Sequence, residues 1–172
     1  MTGYKKCIYF NKKGDDYQVR ECIVELEIPD DAKVVRPWIV DKFTSRESNK
    51  LRCDRALVKA IFTIDGFKMP DYTVAYSVYR VDDIVSYALE DTKTFLNAVK
   101  DIVFKYAVGM IVRPEEKFSE SIFTPCASGI HFFATLEEAT KYEGLACFIY
   151  RIRKVLLEGK DLSKDEMEKI IG

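Results

Sequence analysis

The stretch Cys22-Ile23-Val24-Glu25-Leu26-Glu27-Ile28-Pro29 constrains the fold more than any other. Val24, Leu26 and Ile28 alternate with Glu25 and Glu27. That is the period of two which sends successive side chains to opposite faces of a strand and leaves one face wet. Pro29 has no N–H for a ladder, so the strand stops there, and Asp30 and Asp31 continue as a turn. A strand dry on one face belongs to an antiparallel sheet laid on a core.

The rest of the chain is read around this strand. Tyr4–Phe10 and Tyr17–Ile28 read as neighbouring strands, joined by Asn11-Lys12-Lys13-Gly14, whose glycine suits a left-handed turn position. Leu57–Ile64 is a strand closed by Asp65-Gly66, and Thr73–Val81 is another. Tyr106–Val112 reads as one strand with Gly109 as a bulge and Pro114 as its end. Ile130–Phe133 and Ala146–Val155 complete a set of about seven strands.

Between them, Asp83–Phe104 carries apolar residues at spacings of three and four, with Asp82 or Asp83 as a cap, and predicts one helix or two. Thr135-Leu136-Glu137-Glu138 is a capping box that opens a helix to about Tyr142, and Ser163-Lys164-Asp165-Glu166 offers another. Arg36–Asn49, anchored by Trp38 and Phe43, and Glu115–Ser128 read as long loops. The strands cluster instead of alternating with helices. The expectation is α+β: a single compact domain over residues 1–172, mostly antiparallel, with two or three helices.

Composition sets the outer bounds. The 11 Phe, 10 Tyr and 1 Trp supply ample surface to bury, which excludes a disordered chain. No apolar run reaches the roughly 18–20 residues of a membrane span, and no signal peptide follows Met1-Thr2-Gly3-Tyr4-Lys5-Lys6, so a cytoplasmic setting in a bacterial or infected host cell is expected. A net charge of −1 lacks the field of a dedicated nucleic-acid binder. Charge is uneven, however. From Lys33 to Lys59 eight basic residues face only three acids, Asp41, Glu47 and Asp54. That segment reads either as a solvated loop or as an anion site, with Arg52 and Arg55 able to fork onto phosphate.

Five cysteines, an odd number with no CxxC spacing, argue against a disulfide framework and a zinc knuckle. Cys126 and His131 form a C-x4-H pair that Cys7 or Cys53 could extend, but buried reduced thiols beside one structural histidine are the simpler reading. No metal and no cofactor are expected. His131, the single histidine, stands on a short apolar strand behind Gly129. It reads as a core histidine or as a ligand contact, and a dyad with Cys126 has no further support in the sequence. The tyrosines between Tyr72 and Tyr79 read as packing before base stacking. No Walker, GxGxxG, GxSxG, HExxH or EF-hand pattern occurs.

Three blocks carry a family resemblance. They are Gly3–Cys7 followed by Ile23–Ala32; Leu51–Ala56 with the strand ending Ile64-Asp65-Gly66; and Tyr106–Pro114 running into Cys126–Tyr142. Together they resemble an uncharacterised domain family met beside pentapeptide repeats and in phage and large DNA virus proteins. The resemblance spans most of residues 3–143 and implies no known reaction. A second, weaker resemblance is to the ADP-ribosyltransferase fold. Gly129-Ile130-His131-Phe132-Phe133-Ala134 with Ala139 and Tyr142 is similar to its strand–helix signature, Val78-Tyr79-Arg80-Val81 to its arginine-bearing strand, and Ser119 or Ser121 to its second-strand serine. Glu158 follows the last strand without an ExE or QxE motif.

The functional expectation is a non-catalytic intracellular binding or accessory domain. Arg52, Arg55, Arg80 and His131 are its candidate contacts to a small anionic ligand or nucleotide. The alternatives are an ADP-ribosyltransferase-like enzyme acting on NAD, and a protein–protein interaction module. Membrane and nucleic-acid partners are not expected.

Overall fold

The computed structural model describes residues 1–13, 16–38, 49–78, 103–124 and 127–142. Among them lie nine strands: β1 (Thr2–Lys13), β2 (Asp16–Glu27), β3 (Val34–Val35), β4 (Lys50–Cys53), β5 (Ala56–Thr63), β6 (Val74–Val78), β7 (Val103–Ala107), β8 (Ile111–Val112) and β9 (Ile130–Phe133). One helix, α1 (Leu136–Lys141), follows. The α+β expectation is therefore corrected: the described residues form a mostly antiparallel, nearly all-β sheet with a single short helix.

The reasons are local. Tyr106–Val112 is two strands, because Gly109 takes φ 85° in a turn and breaks the run that a bulge would have continued. β3 and β4 fall where loop or turn was expected. The helical periodicity of Asp83–Phe104 lies outside the described residues, except at its end, where Val103 and Phe104 belong to β7. The expected strand Ala146–Val155 and the terminal capping box also lie outside them.

The chain divides into two compact units, one of residues 1–6, 22–74 and 106–142, the other of residues 7–21, 75–105 and 143–172. In the first, the strands run in the order β3-β4-β9-β1-β2-β5-β8. The ladders β3–β4, β4–β9, β9–β1, β2–β5 and β5–β8 are all antiparallel. Val24, Leu26 and Ile28 are buried as their alternation requires, while Glu27 is exposed and reaches Lys59 Nζ at 3.1 Å. The β2–β5 register shifts between Glu25 and Leu26, a bulge within that ladder. Gly3 sits where a Cβ would run into the Phe132 ring and come within 2.8 Å of Ile28 Cδ1, so β1 closes on the core only without a side chain there.

Helix α1 starts as its sequence dictates. Thr135 is extended, at φ −123° and ψ 150°, and its Oγ1 accepts the Glu138 N–H at 3.3 Å. At the other end the buried Lys6 ammonium donates to the carbonyls of Thr140 at 2.9 Å and Tyr142 at 2.8 Å. A cation placed there meets the negative end of the helix dipole.

In the second unit Ile8 of β1 pairs with Tyr76 of β6 in antiparallel register. Phe10 meets the Tyr76 ring edge-on, with centroids 5.5 Å apart and planes at 70°. Cys7, Ile8, Val19, Ala75 and Tyr76 are buried. No helix among the described residues is long and apolar enough to cross a membrane.

Candidate functional site

Arg52 is the largest fully buried side chain of the described residues. Strand β4 carries it under the loop between β8 and β9, and the guanidinium takes hold of that loop by its main chain. Nε donates to Ser119 O at 2.9 Å, Nη1 to Thr124 O at 3.0 Å, and Nη2 to Ser121 O. Burial pushes the guanidinium pKa down from its ordinary value. Gly129 makes the fit possible, because a Cβ on it would lie 3.0 Å from Arg52 Cδ and 3.1 Å from Phe118 Cε2. Further bonds stiffen the loop: Ser119 N–H to Ser128 O at 3.0 Å, Ser128 Oγ to Glu116 O at 2.9 Å, and Phe123 N–H to Ser121 Oγ at 3.3 Å.

Beside this latch is an open cavity of about 520 Å³ lined by Lys33, Asp54, Lys117, Phe118 and Glu120. Lys33 and Glu120 form an ion pair across it, and the Glu120 carboxylate holds the Lys33 ammonium above its ordinary value. Asp54 accepts the Lys33 N–H at 3.0 Å. Arg55 pairs with Asp31 at 2.6 Å and with Asp54 at 3.2 Å. Positive and negative groups are thus interleaved, and the basic excess read from the sequence does not become a cationic pocket here.

Of the four expected contacts, Arg52 and His131 come together, as partners across the β4–β9 ladder. Partners in such a ladder share a face of the sheet. His131 is half-buried, and its carbonyl accepts from Lys5 Nζ at 3.0 Å. Arg55 is turned to its two carboxylates instead, and Arg80 lies outside the described residues. Cys53 is buried next to this pair; its Sγ donates to Ile130 O at 3.7 Å, and burial pushes the thiol pKa up to about 12. Cys7 and Cys22 are buried, and Cys126 lies outside the described residues. Among the described residues no three His, Cys, Asp or Glu side chains gather where they could hold a metal ion. Ser119 and Ser121, matched to a second-strand serine only by the weaker resemblance, lie in the loop between β8 and β9, inside the Glu115–Ser128 loop read from the sequence, and Glu158 is outside the described residues.

Sequence reasoning missed what the latch displays. Trp38 was expected to anchor its loop, yet its ring is 67 % exposed. The anchoring is done by its main chain, whose N–H donates to Ile122 O at 2.7 Å. Ile122 and Phe123 are themselves 45 % and 74 % exposed. Three large apolar side chains therefore stand in water on backbone that is held from below. The available signal was Ser-Ile-Phe-Thr-Pro, an apolar pair inside a polar loop with no strand period to bury it.

Comparison with known proteins gives relatives whose descriptions state no activity. A family described as "Family of unknown function (DUF5758)" matches residues 1–93 and 78–139. An uncharacterised protein, L223, of Acanthamoeba polyphaga mimivirus is 32 % identical over 123 residues, covering 71 % of this chain and 62 % of the viral protein. The chain thus matches less than two thirds of that relative's length. Neither likeness involves pentapeptide repeats or an ADP-ribosyltransferase by description. No solved structure matches.

Proposed function

The chain belongs to the family of unknown function DUF5758, and from its geometry we propose that it works as a binding or accessory module, presenting Trp38, Ile122 and Phe123 to a protein partner. One observation carries this reading: a buried guanidinium holds the carbonyls of Ser119, Ser121 and Thr124, while the side chains between them face solvent. Large aromatic side chains in water are unfavourable for an isolated fold, and clustered ones mark interaction surfaces. Held on fixed backbone, they lose little further conformational freedom when a partner covers them, which favours affinity. Trp and other aromatics are the usual anchors of such contacts, surrounded by a polar rim. Lys33, Lys117 and Glu120 of the neighbouring cavity supply charges of both signs for a rim.

The small-anion reading is weaker in this geometry, because Arg52 and Arg55 already hold acceptors within the chain. The deciding experiment is quantitative capture of proteins from lysate by the full chain, by a Trp38→Ser/Phe123→Ser variant, and by a Phe67→Ser control altered at another exposed aromatic. The reading expects some protein whose recovery falls about tenfold or more with the double variant only. Recovery that never depends on Trp38 and Phe123 would discard it. Hydrolysis of labelled NAD by the pure chain, or self-labelling, would replace it with the transferase reading built on Arg80, Ser119 or Ser121, and Glu158.

A further inference from the structure

A guanidinium offers five N–H groups in a planar fork. Three of them, one on each nitrogen of Arg52, go to the carbonyls of Ser119, Ser121 and Thr124. Nη1 and Nη2 each keep a second N–H with no acceptor among the described residues. A buried guanidinium satisfied only by neutral carbonyls is poised for an oxyanion, since a charged acceptor makes hydrogen bonds roughly twice as strong. Total burial keeps a free ion away from Arg52, so the oxyanion has to be carried in by the loop itself.

Thr124 is placed to carry it. It is exposed, its carbonyl is the one bonded to Nη1 at 3.0 Å, and its Oγ1 lies 3.2 Å from Ser121 Oγ. Pro125 follows, which biases Thr124 toward extended backbone, the form that enters a kinase cleft. Ser121 is the poorer acceptor, half-buried and already bonded by the Phe123 N–H. Glu120, the carboxylate nearest in sequence, has its charge offset by Lys33.

We propose that Thr124 is a phosphorylation site and that Arg52 receives the phosphoryl group. In the transfer, Thr124 Oγ1 attacks the γ-phosphorus of a nucleoside triphosphate held by a proline-directed kinase acting in trans. The new O–P bond forms as the bond to the bridging β-phosphate oxygen breaks; the nucleoside diphosphate leaves, and the hydroxyl proton goes to the kinase's catalytic carboxylate. The product places close to two negative charges and three strong acceptors beside the fork of Arg52. The loop under Ile122 and Phe123 is thereby tightened, so phosphorylation regulates the proposed docking surface, a step that rests on the latch of that reading and not on any partner.

The test uses the full chain, ATP and a proline-directed serine/threonine kinase, with mass spectrometry to place the phosphate. Transfer to Thr124 is expected in the native chain and in Ser121→Ala, but not in Thr124→Val. The second ionisation of the phosphate, followed by ³¹P NMR, should lie about one unit below its value for the same chain in urea, and Arg52→Lys should reduce that difference. Exchange of the Phe123 amide should slow by about tenfold on phosphorylation. Transfer only elsewhere, or an ionisation equal in folded and urea-unfolded chains, overturns the proposal. Neither readout involves a partner, so it can fail while the docking reading stands, and the reverse.

Discussion

Gly129 and Arg52 are in van der Waals contact so close that a methyl group at position 129 would lie 3.0 Å from Arg52 Cδ and 3.1 Å from its Cβ. Neither side can give way freely. Arg52 is fixed by three carbonyls, and Phe118 closes the space from another direction at 3.1 Å. Gly129→Ala is therefore expected to destabilise the chain by about 1–3 kcal/mol, the range for overpacking a filled site. Urea unfolding checks the magnitude. Arg52→Met in the same chain should recover part of the loss, because an unbonded side chain can move aside; additive effects would show that the two residues are not coupled.

Charge and volume separate at Arg52 itself. Arg52→Met keeps most of the volume and removes a buried cation, a change that is often neutral for global stability. The loop is at the surface, so its freed carbonyls turn to water. The expected result is an unfolding free energy changed by about 1 kcal/mol or less, read from the denaturant midpoint, with local opening increased. The Trp38 amide, bonded to Ile122 O, and the Phe123 amide, bonded to Ser121 Oγ, should exchange at least tenfold faster. Arg52→Ala leaves a void as well and should lose about 2–4 kcal/mol. Unchanged exchange in Arg52→Met would mean the loop is held by its own serine bonds.

These residues also show where the sequence stopped speaking. Val24, Leu26 and Ile28 were legible because one face of β2 is wet at Glu27 and the period holds from Val24 onward, although Cys22 and Ile23 just before it are both buried. β4 was not. Leu51, Arg52 and Cys53 are all buried, so there is no alternation, and a buried arginine reads in sequence like an exposed one. Its burial depends on a loop some seventy residues later, which no local window contains. β3 has two residues, too few for any period. α1 was legible through one bond, Thr135 to the Glu138 amide, because a cap is a local motif. The expected site suffered from the same gap. Arg55 looked free to bind an anion, but Asp31, in the turn after β2, reaches it at 2.6 Å.

Cys53 makes stability depend on alkaline pH. Burial, the leading cause, raises its thiol from the ordinary 9.0 to about 12. A raised acid binds its proton more tightly in the folded state, so the associated stability is complete below the unfolded value and is lost as pH climbs toward 12. Between pH 8 and pH 10.5 the contribution should fall by about 1–2 kcal/mol. The check is the urea midpoint at both pH values in the native chain and in Cys53→Ala, whose lack of a thiol should flatten part of the slope. Thiol reagents at pH 8 should leave Cys53 unmodified until urea unfolds the chain. Equal slopes in the two chains would assign the alkaline loss to other groups, such as Tyr76, whose hydroxyl burial also raises.

Trp38 and Phe123 should separate stability from association. Both side chains are mostly in water, so truncating them removes little buried area, and surface changes of this kind usually fall within about 0.5 kcal/mol. Trp38→Ser and Phe123→Ser are expected to leave the urea midpoint in place, singly and together, because what holds this region is main chain: Trp38 N–H on Ile122 O, and Arg52 on three carbonyls. An environment-sensitive apolar dye that lights up on the native chain should lose signal with the double variant. A large drop in stability would mean that the two rings pack against part of this chain, and the surface they form would then belong to the fold.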